Sequence, residues 1–462
     1  MDKFKSKTKK KIRMWCASLI LAIVVSLFNE ILFSNFLSAA VFSPKTFTLN
    51  NGLQVVVIEN RRAPIVIQMI WYRIGAADEP NGSSGLAHFV EHLLFKGTKT
   101  IKPGQFSRMI SRLGGIDNAF TSHDFTAYFQ KVVSHELEKV MRLEADRMEN
   151  LVLTDGITKT EIDVILEERR SRIDINPRAK LREIMRRVLY LNHPYGRPVV
   201  GWENEIKKLT KTKAMAFYQK YYVPNNAILI IAGDVVVEKV RRLAEKYYGR
   251  IPGKPLAERV RPKEPMQIAG RRVILKNKQV KLPYWSRYYL TPSYASDDQN
   301  IAHSLEILAQ VFGGGPTSKL YKSLVLDKKI ASGVRAWFSG DGLDYGELRL
   351  FVHPKLGINL REIESAITKE IKLILKGEIT EEEFLRAKEL IASEAVFARD
   401  GLESGPYAIG ASLTQGRSIR DVESWPDRII SVSREQVISA GQQVLKETRS
   451  VTGILLPENI ND

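Results

Sequence analysis

Two histidines and a glutamate, spaced as His-x-x-Glu-His, are the residues of this chain best suited to chemistry. His88, Glu91 and His92 stand at positions i, i+3 and i+4, so a helix over this stretch places all three on one face. Two imidazoles four residues apart can bind one metal ion, and a carboxylate between them can lie beside that ion without binding it. With 7 histidines in 462 residues, chance produces this spacing in on the order of one chain in a hundred. The motif therefore predicts a metal site, provided that a third ligand exists.

The third ligand has to come from another part of the chain, because a hydrolytic zinc ion binds three protein ligands and keeps one open position. Residues 158–172 predict a helix that carries Glu161, Glu167 and Glu168. Glu161 and Glu168 are two helical turns apart and share a face. Glu168 follows His92 by 76 residues, which is enough for a separate helix to fold back. Most helical glutamates are simply solvated, and spacing alone does not choose among these three.

The wider sequence resembles the pitrilysin/insulinase-type metallopeptidases, in particular their mitochondrial-processing-peptidase-like branch. H-x-x-E-H is the inverted form of the common zinc-protease motif. The likeness extends over essentially the whole chain after residue 40. The stretches that carry it are residues 85–92, 95–98, 161–168, 193–198, 201–202, 221–226 and 232–234.

This resemblance implies a zinc-dependent endopeptidase or oligopeptidase that hydrolyses peptides or unfolded protein segments. One Zn²⁺ per chain would be held by His88, His92 and Glu168. Glu91 would be the general base that takes a proton from the zinc-activated water and returns it to the leaving amine. Glu161 would orient a ligand histidine through its second ring nitrogen, or otherwise neutralise the charge of the site. The histidines must be neutral to bind the metal, so activity should fall at acid pH.

Substrate binding is predicted for the stretch 114–121, a glycine turn that leads into a strand and resembles the family's substrate-edge strand. An edge strand offers unpaired backbone groups to which an extended peptide can add with little demand on its sequence. We expect Asn118 and Ala119 to contact the peptide beside the scissile bond. Phe120 and Thr121 continue the same strand and complete the predicted substrate-binding set.

One departure from the family pattern lies in the second half. The turn at 313–320 resembles the family's glycine turn into a helix, after which an Arg and a Tyr seven residues apart help to bind the substrate carbonyl. The matching positions here are Val325 and Ser332, and neither supplies a charge-assisted hydrogen bond. We therefore expect the chain to be the zinc-bearing subunit of a heterodimer, with a homologous partner that supplies the missing pair.

The elements that must position these residues repeat in two halves. The first half predicts strands at 45–49, 53–59, 65–74, 116–121, 125–133 and 227–232, with helices at 84–96, 104–113, within 135–190, at 211–222 and up to Tyr248. The second predicts strands at 271–276, 283–290, up to about 353 and at 450–456, with helices at 298–312, 317–326, 358–376, 381–399 and 433–447. Strand runs followed by grouped helices indicate an α+β fold of two homologous halves, each a mostly antiparallel sheet packed with a helical layer.

Composition shifts set the expected domain bounds. A proline-rich polar stretch begins near residue 250. We expect a zinc-bearing domain at 41–250, a linker at 251–268 and a homologous domain without metal at 269–462. Two interpretations of His303-Ser304-Leu305-Glu306-Ile307 stay open, a vestige of the metal motif and a coincidence, and in both Ile307 stands where a ligand would be needed. The other histidines have no metal spacing and are expected to be structural: His123, His135, His193 and His353.

The first 40 residues have the layout of a secretory signal peptide. A lysine-rich start precedes the apolar run 14–28, and Ser38-Ala39-Ala40 provides a small-x-small cleavage pattern. The only cysteine, Cys16, lies in this segment, so the mature chain would contain no disulfide. We expect a bacterial periplasmic protein, with an uncleaved inner-membrane anchor as the alternative.

The net charge of +18 falls to +13 after residue 40, because residues 1–40 carry seven basic and two acidic groups. The remaining Lys and Arg are scattered along helical stretches rather than gathered with aromatics, so nucleic-acid binding is not expected. Association with an anionic membrane surface and affinity for acidic peptides both fit this charge. The alternative function is a non-catalytic assembly or scaffold subunit of the same fold, although such relatives usually lose the metal residues.

Overall fold

The computed structural model describes residues 41–296, 298–398 and 400–458 of the chain. The predicted signal peptide, residues 1–40 with Cys16 inside it, lies outside the described residues. No helix in the described residues is both long enough and apolar enough to cross a lipid bilayer.

The first half is organised around a six-stranded sheet with the order β1-β2-β6-β3-β5-β4. Its strands are β1 Lys45–Thr48, β2 Gln54–Glu59, β3 Ile65–Tyr72, β4 Ile116–Thr121, β5 Thr126–Val133 and β6 Ala227–Gly233. The β2–β6 pair is parallel and the other pairs are antiparallel. The central strands β3 and β6 are buried on both faces, which explains their continuous apolar sequences. Strand β4 ends the order and is an edge strand.

The described residues of the first half form eight α-helices. They are α1 Leu86–Leu93, α2 Gln105–Arg112, α3 Leu137–Glu149, α4 Asp155–Arg169, α5 Pro177–Leu189, α6 Glu203–Ile206, α7 Lys211–Tyr221 and α8 Val237–Tyr247. Polar caps start three of them: Thr154, Asn176 and Thr210 accept backbone N–H groups at α4, α5 and α7. Helix α1 buries Phe89 and Val90 in the main core, which seats the motif firmly against the sheet.

The second half repeats this plan with five strands in the order β7-β11-β8-β10-β9. They are β7 Arg271–Asn277, β8 Tyr284–Pro292, β9 Ala331–Ser339, β10 Tyr345–Pro354 and β11 Ser450–Pro457. Its helices are α9 Gln299–Gly313, α10 Leu360–Leu375, α11 Glu381–Ala398, α12 Ser404–Thr414, α13 Ile419–Glu423, α14 Trp425–Ser431 and α15 Arg434–Val444. One parallel pair, β7–β11, again joins otherwise antiparallel strands. The α+β prediction with two similar halves is confirmed.

Two predictions for the second half differ from the structure. The helix expected at 317–326 is present only from residue 319, and its stretch Tyr321–Asp327 is a π-helix rather than an α-helix. Three helices between 400 and 432, α12 to α14, were not predicted at all. The reason at α12 is local composition: Gly405, Pro406 and Gly410 lower helix propensity, so only packing in the tertiary structure makes this segment helical.

In that packing, each half contributes one helix that lies on the sheet of the other half. Helix α12, from the second half, lies on β3 and β6 of the first sheet, and a Cβ added at Gly410 would meet Trp71 at 2.1 Å. In return, α5 from the first half lies on β11 and β7 of the second sheet, where Gly453 makes room for Met185. Each sheet therefore has one face completed by the other half, which ties the two halves together.

The segment between the halves adds an ionic connection. Arg261 is nearly buried and forms ion pairs with Asp78 and Asp124 of the first half, at 2.6 Å and 2.5 Å, and with Asp344 of the second, at 2.8 Å. Arg259 pairs with Asp78 at 2.9 Å. The residues that separate the two sheets in sequence therefore help to hold the halves in place.

Candidate metal centre

Helix α1 is held at its first turn by a close backbone crossing. Gly85 has φ +86°, and a Cβ there would lie 2.5 Å from the carbonyl oxygen of Val200. Gly201, with φ +92°, faces it from the other chain segment. The buried carboxylate of Glu79 accepts hydrogen bonds from the Gly85 and Ala87 N–H groups, at 3.0 Å and 2.8 Å. The Glu79 carboxylate thus provides hydrogen-bond acceptors for backbone N–H groups at the first turn of α1. Together these contacts fix the direction of His88, the next residue.

The two motif histidines turn a ring nitrogen towards the same carboxylate. Nε2 of His88 lies 3.7 Å from Oε1 of Glu168, and Nε2 of His92 lies 3.3 Å from Oε2. One potential ligand atom from each residue lies within 4.8 Å of the other two. Two imidazole nitrogens and a carboxylate oxygen are a donor set that suits a hydrolytic zinc ion. No second group of three such side chains occurs in the described parts of the chain.

The three glutamates of α4 take different places. Glu168 faces the histidines, whereas Oε1 of Glu161 lies 2.8 Å from Nδ1 of His92, on the far side of that ring. Glu167 points to solvent and pairs with Arg170. Nδ1 of His88 is buried without a hydrogen-bond partner among the described residues. Carboxylate support therefore reaches the ring of His92 and not that of His88.

Two cations near the site were missed by sequence reasoning. Nζ of Lys96 lies 2.5 Å from Oε2 of Glu161, and Nη1 of Arg172 lies 2.6 Å from Oε1 of Glu168. Lys96 follows the motif helix by one turn, and Arg172 stands at i+4 from Glu168, so helical spacing could have signalled Arg172. Each cation offsets the charge of a carboxylate that also serves the histidines.

Burial and charge set the protonation of these groups. Burial, with His92 as a neighbour, lowers the pKa of His88 to about 4. Burial opposes the charged form of His92 as well, but hydrogen bonds with Glu161 and Glu168 outweigh it and raise the pKa of His92 to about 9. Hydrogen bonding to His92 lowers the pKa of Glu168. At neutral pH His88 is therefore neutral, the form that can bind a metal, whereas His92 would have to give up a proton to do so.

Glu91 lies on the same helix but does not join the ligand group. Its Oε2 accepts a hydrogen bond from the Thr121 hydroxyl at 2.5 Å, which anchors it to strand β4. Burial raises the pKa of Glu91 above its usual value, although Thr121 works against that shift. A buried carboxylate with a raised pKa beside a ligand group is well placed to carry a proton.

The predicted substrate-binding residues occupy both faces of the edge strand. Thr121 reaches Glu91, and Ala119 packs towards the same core as α1. Asn118 is exposed, and its Oδ1 accepts the Ala119 N–H at 2.9 Å. Phe120 instead stacks on Tyr407 of α12, with ring centroids 4.7 Å apart. The strand therefore places Thr121 beside the motif, while the Phe120 side chain takes part in packing between the halves.

The remaining sequence features of the second half do not belong to the one group of potential metal ligands found among the described residues. Val325 packs against the second core, and the Ser332 hydroxyl donates to the His353 carbonyl at 3.2 Å. In α9, Glu306 is hydrogen-bonded by the Tyr294 hydroxyl, and Ile307 is buried. Nδ1 of His303 lies 2.7 Å from the Gln299 carbonyl oxygen.

The four histidines expected to be structural have separate surroundings. His123 and His193 are buried, and their ring nitrogens lie 3.0 Å from the Arg197 carbonyl oxygen and 3.2 Å from Asp344. His135 is largely exposed, and His353 packs on Tyr284. None of them lies in the ligand group of the described residues.

Comparison with known protein families gives two matches along the chain. Residues 54–202 match the family described as Insulinase (Peptidase family M16), and residues 208–391 match the Peptidase M16 inactive domain. All the motif residues and Glu168 fall in the first match. The second match begins in the first half and continues into α11.

Relatives and solved structures agree with these matches. The chain is 32% identical over 425 residues to the zinc protease PqqE of Helicobacter pylori, and the alignment covers 89% of this chain and 93% of the relative. A crystal structure of a protease from Helicobacter pylori superposes with a TM-score of 0.83 at 28% identity, covering 90% of this chain and all of that one. The first half of the periplasmic protease PqqL from Escherichia coli has the same fold, with a TM-score of 0.77 at 21% identity and coverage of 90% and 92%.

Proposed function

The chain belongs to the insulinase family of peptidases, M16, and on that premise we propose that it is a zinc-dependent endopeptidase or oligopeptidase. The observation that carries the proposal is the convergence of His88, His92 and Glu168 on one point beside Glu91. A relative 32% identical is named as a zinc protease, which agrees with this donor set. The substrates would be peptides or unfolded protein segments.

His88, His92 and Glu168 would hold the zinc ion, and Glu161 would fix the ring of His92 through Nδ1. When bound, zinc would supply Lewis-acid polarisation of water and of the peptide carbonyl. Arg172 and Lys96 would keep both carboxylates ionised while the site is empty. The buried position of the motif limits competing water and strengthens each electrostatic contact.

Glu91 would carry the proton during hydrolysis. Thr121 engages Oε2, so Oε1 is the atom left to take the proton from water and to return it to the leaving amine. The raised pKa of Glu91 makes it a stronger base than a solvated glutamate. The same hydroxyl connects this base to the edge strand, so Asn118 and Ala119 would align the peptide backbone at a fixed distance from Glu91.

We also propose that the active form is a heterodimer with a homologous chain. The support is that Val325 and Ser332, at the positions of the family's carbonyl-binding Arg and Tyr, offer no free donor: one is apolar and the other is engaged by the His353 carbonyl. A partner that carries the Arg and Tyr would complete the binding of the substrate carbonyl. Its contribution would appear mainly in the transition state.

The proposed location is the bacterial periplasm, because residues 1–40 have the pattern of a secretory signal peptide. The proposed domains remain 41–250, with the metal centre, and 269–462, without one. The linker is residues 251–268.

The deciding experiment is co-purification from the native source, followed by zinc analysis and a peptide-library digest with and without the co-purified partner. We expect one zinc per chain and cleavage that rises when the partner is added. A zinc-free chain that cleaves no peptide in either condition would instead support the scaffold function. Full activity of the isolated chain, unchanged by the partner, would refute the heterodimer and leave the peptidase function standing.

A further inference from the structure

A cavity of about 310 Å³ lies between the two halves and is lined by an excess of arginines. Helix α5 contributes Arg182 and Arg186, the loop after it contributes Arg197, and β10 of the second half contributes Arg349. The only carboxylate in the lining is that of Glu183. The lining therefore contains four arginines and one glutamate.

Neighbouring acids leave much of this positive charge uncompensated. Glu183 is bound by Arg169, which holds its two oxygens at 2.8 Å and 2.9 Å. Glu347, just outside the lining, is shared by Arg186 at 3.3 Å and Arg349 at 2.7 Å.

The other two arginines form no ion pair in the described residues, although Glu79 and Glu205 lie near enough to stabilise the charge of Arg197. Neither Arg182 nor Arg197 lies within 4.0 Å of a carboxylate oxygen in the described residues, and the Arg197 guanidinium donates only to the Glu79 carbonyl, at 2.9 Å. His123 adds no charge, because burial, together with Arg186, lowers its pKa to about 3. The cavity is thus a cationic site whose charge comes from arginines alone.

The cavity adjoins the proposed active site from two directions. His123 in its lining follows Thr121, the residue bonded to Glu91, by two positions at the start of the β4–β5 turn, so the two residues lie at most about 7 Å apart along the chain. On the other side, Ile173 lines the cavity five residues after Glu168, and the lining residue Glu183 is paired with Arg169, the residue next to Glu168. A peptide that continues along β4 past Thr121 therefore runs towards the arginines.

We infer that this cavity, which we call the arginine pocket, binds a carboxylate of the peptide substrate a few residues from the scissile bond. The planar guanidinium group matches a carboxylate in geometry and charge. The carboxylate can be an Asp or Glu side chain or the free C-terminus of the peptide. This inference rests on the proposed peptidase function and adds a preference for acidic peptides to it.

The test compares matched peptides on the zinc-loaded full chain. One series places Glu or Gln at each of the four positions on either side of the cleaved bond, and a second has a free or an amidated C-terminus. We expect kcat/KM to favour one acidic position, or the free C-terminus, by about tenfold, the effect of one charge-assisted hydrogen bond. Arg182→Gln should reduce the ratio of kcat/KM between the acidic and the neutral peptide towards one. Arg182→Lys should give an intermediate ratio, because lysine keeps the charge but cannot form the two parallel hydrogen bonds of a guanidinium group.

Lys180→Gln is the matched control. Lys180 is exposed on the same helix, two residues before Arg182, and does not line the arginine pocket. The Lys180→Gln substitution removes one positive charge, as Arg182→Gln does, and should leave the ratio of kcat/KM between acidic and neutral peptides unchanged. An acidic preference that Arg182→Gln does not alter, or that Lys180→Gln alters equally, would overturn the inference.

A binding measurement separates this result from the peptidase proposal. Glu91→Gln protein should bind the preferred acidic peptide about tenfold more tightly than its neutral counterpart, and Arg182→Gln in that background should abolish the difference. If no peptide is cleaved but the acidic peptide still binds more tightly than the neutral one, the peptidase proposal is wrong and the carboxylate-binding role of the arginine pocket is supported. If peptides are cleaved but acidic and neutral peptides bind equally well, only the inference about the arginine pocket is wrong.

Discussion

Nδ1 of His92 donates to Oε1 of Glu161 at 2.8 Å, while Nε2 of the same ring faces Glu168 at 3.3 Å. The ring is therefore held from both sides, and the nitrogen that faces the ligand group is the one without the Glu161 contact. Carboxylate support of this kind fixes the tautomer and the direction of a metal-binding histidine. Glu161 is in turn paired with Lys96, so the support extends to a third residue.

Glu161→Gln should weaken zinc binding without removing a ligand. An amide oxygen can still accept from Nδ1, but the negative charge that favours a basic ring is lost, together with the ion pair to Lys96. We expect zinc affinity to fall about 10–100-fold, as measured by competition with a chelator. Glu167→Gln is the control, because Glu167 lies on the same helix and faces solvent. Equal affinity of the Glu161 variant and the control would contradict this role.

Glu91→Gln should retain zinc and lose cleavage. The amide keeps the shape of the side chain and can still accept from Thr121, but it cannot take a proton. We expect kcat to fall by about 10²–10⁴-fold, the usual contribution of a general base, with zinc content unchanged by elemental analysis. Retained peptidase activity in this variant would show that another group moves the proton.

Glu306→Gln should stabilise the protein at alkaline pH. Burial raises the pKa of Glu306 to about 7 from its ordinary 4.5, so the folded chain retains a proton that the unfolded chain releases. Stability therefore falls as pH rises from about 4.5 to 7 and stays lower above that. Glutamine mimics the protonated acid and removes this loss, which is worth up to about 3 kcal/mol at pH 8. Urea unfolding at pH 4 and pH 8 measures the difference in free energy of unfolding between the variant and the original chain. An equal difference at both pH values would show that the titration of Glu306 is not its cause.

Gly410→Ala should destabilise the contact between the halves. The added methyl group would overlap the ring of Trp71, which is fully buried and cannot move aside. We expect a loss of about 1–3 kcal/mol in the free energy of unfolding, seen as a lower thermal midpoint. Gly156→Ala is the control, because a Cβ there meets nothing within 4 Å and the site lies in helix α4. A control that loses as much stability would count against the packing explanation.

Most of the regular elements could be predicted from local sequence, because their hydrophobic periods and turn residues are strong. The strands at 116–121 and 126–133 and the helix that carries the motif follow from patterns a few residues long. Helix α12 could not be predicted in this way. Its glycines disfavour a helix in isolation, and they are tolerated because small residues allow α12 to approach Trp71 closely.

The sequence by itself determined the chemistry, because the spacing of His88, Glu91 and His92 fixes their common face in any helix. Which glutamate of α4 lies beside the histidines depended on how this helix, 76 residues further along the chain, packs against α1. Only the tertiary structure brings Glu168 to the histidines and leaves Glu167 in solvent. Contacts between distant segments also decided the Thr121 bond to Glu91 and the arginine pocket between the halves. Such contacts leave no periodic trace in the sequence, since each depends on where separate elements meet.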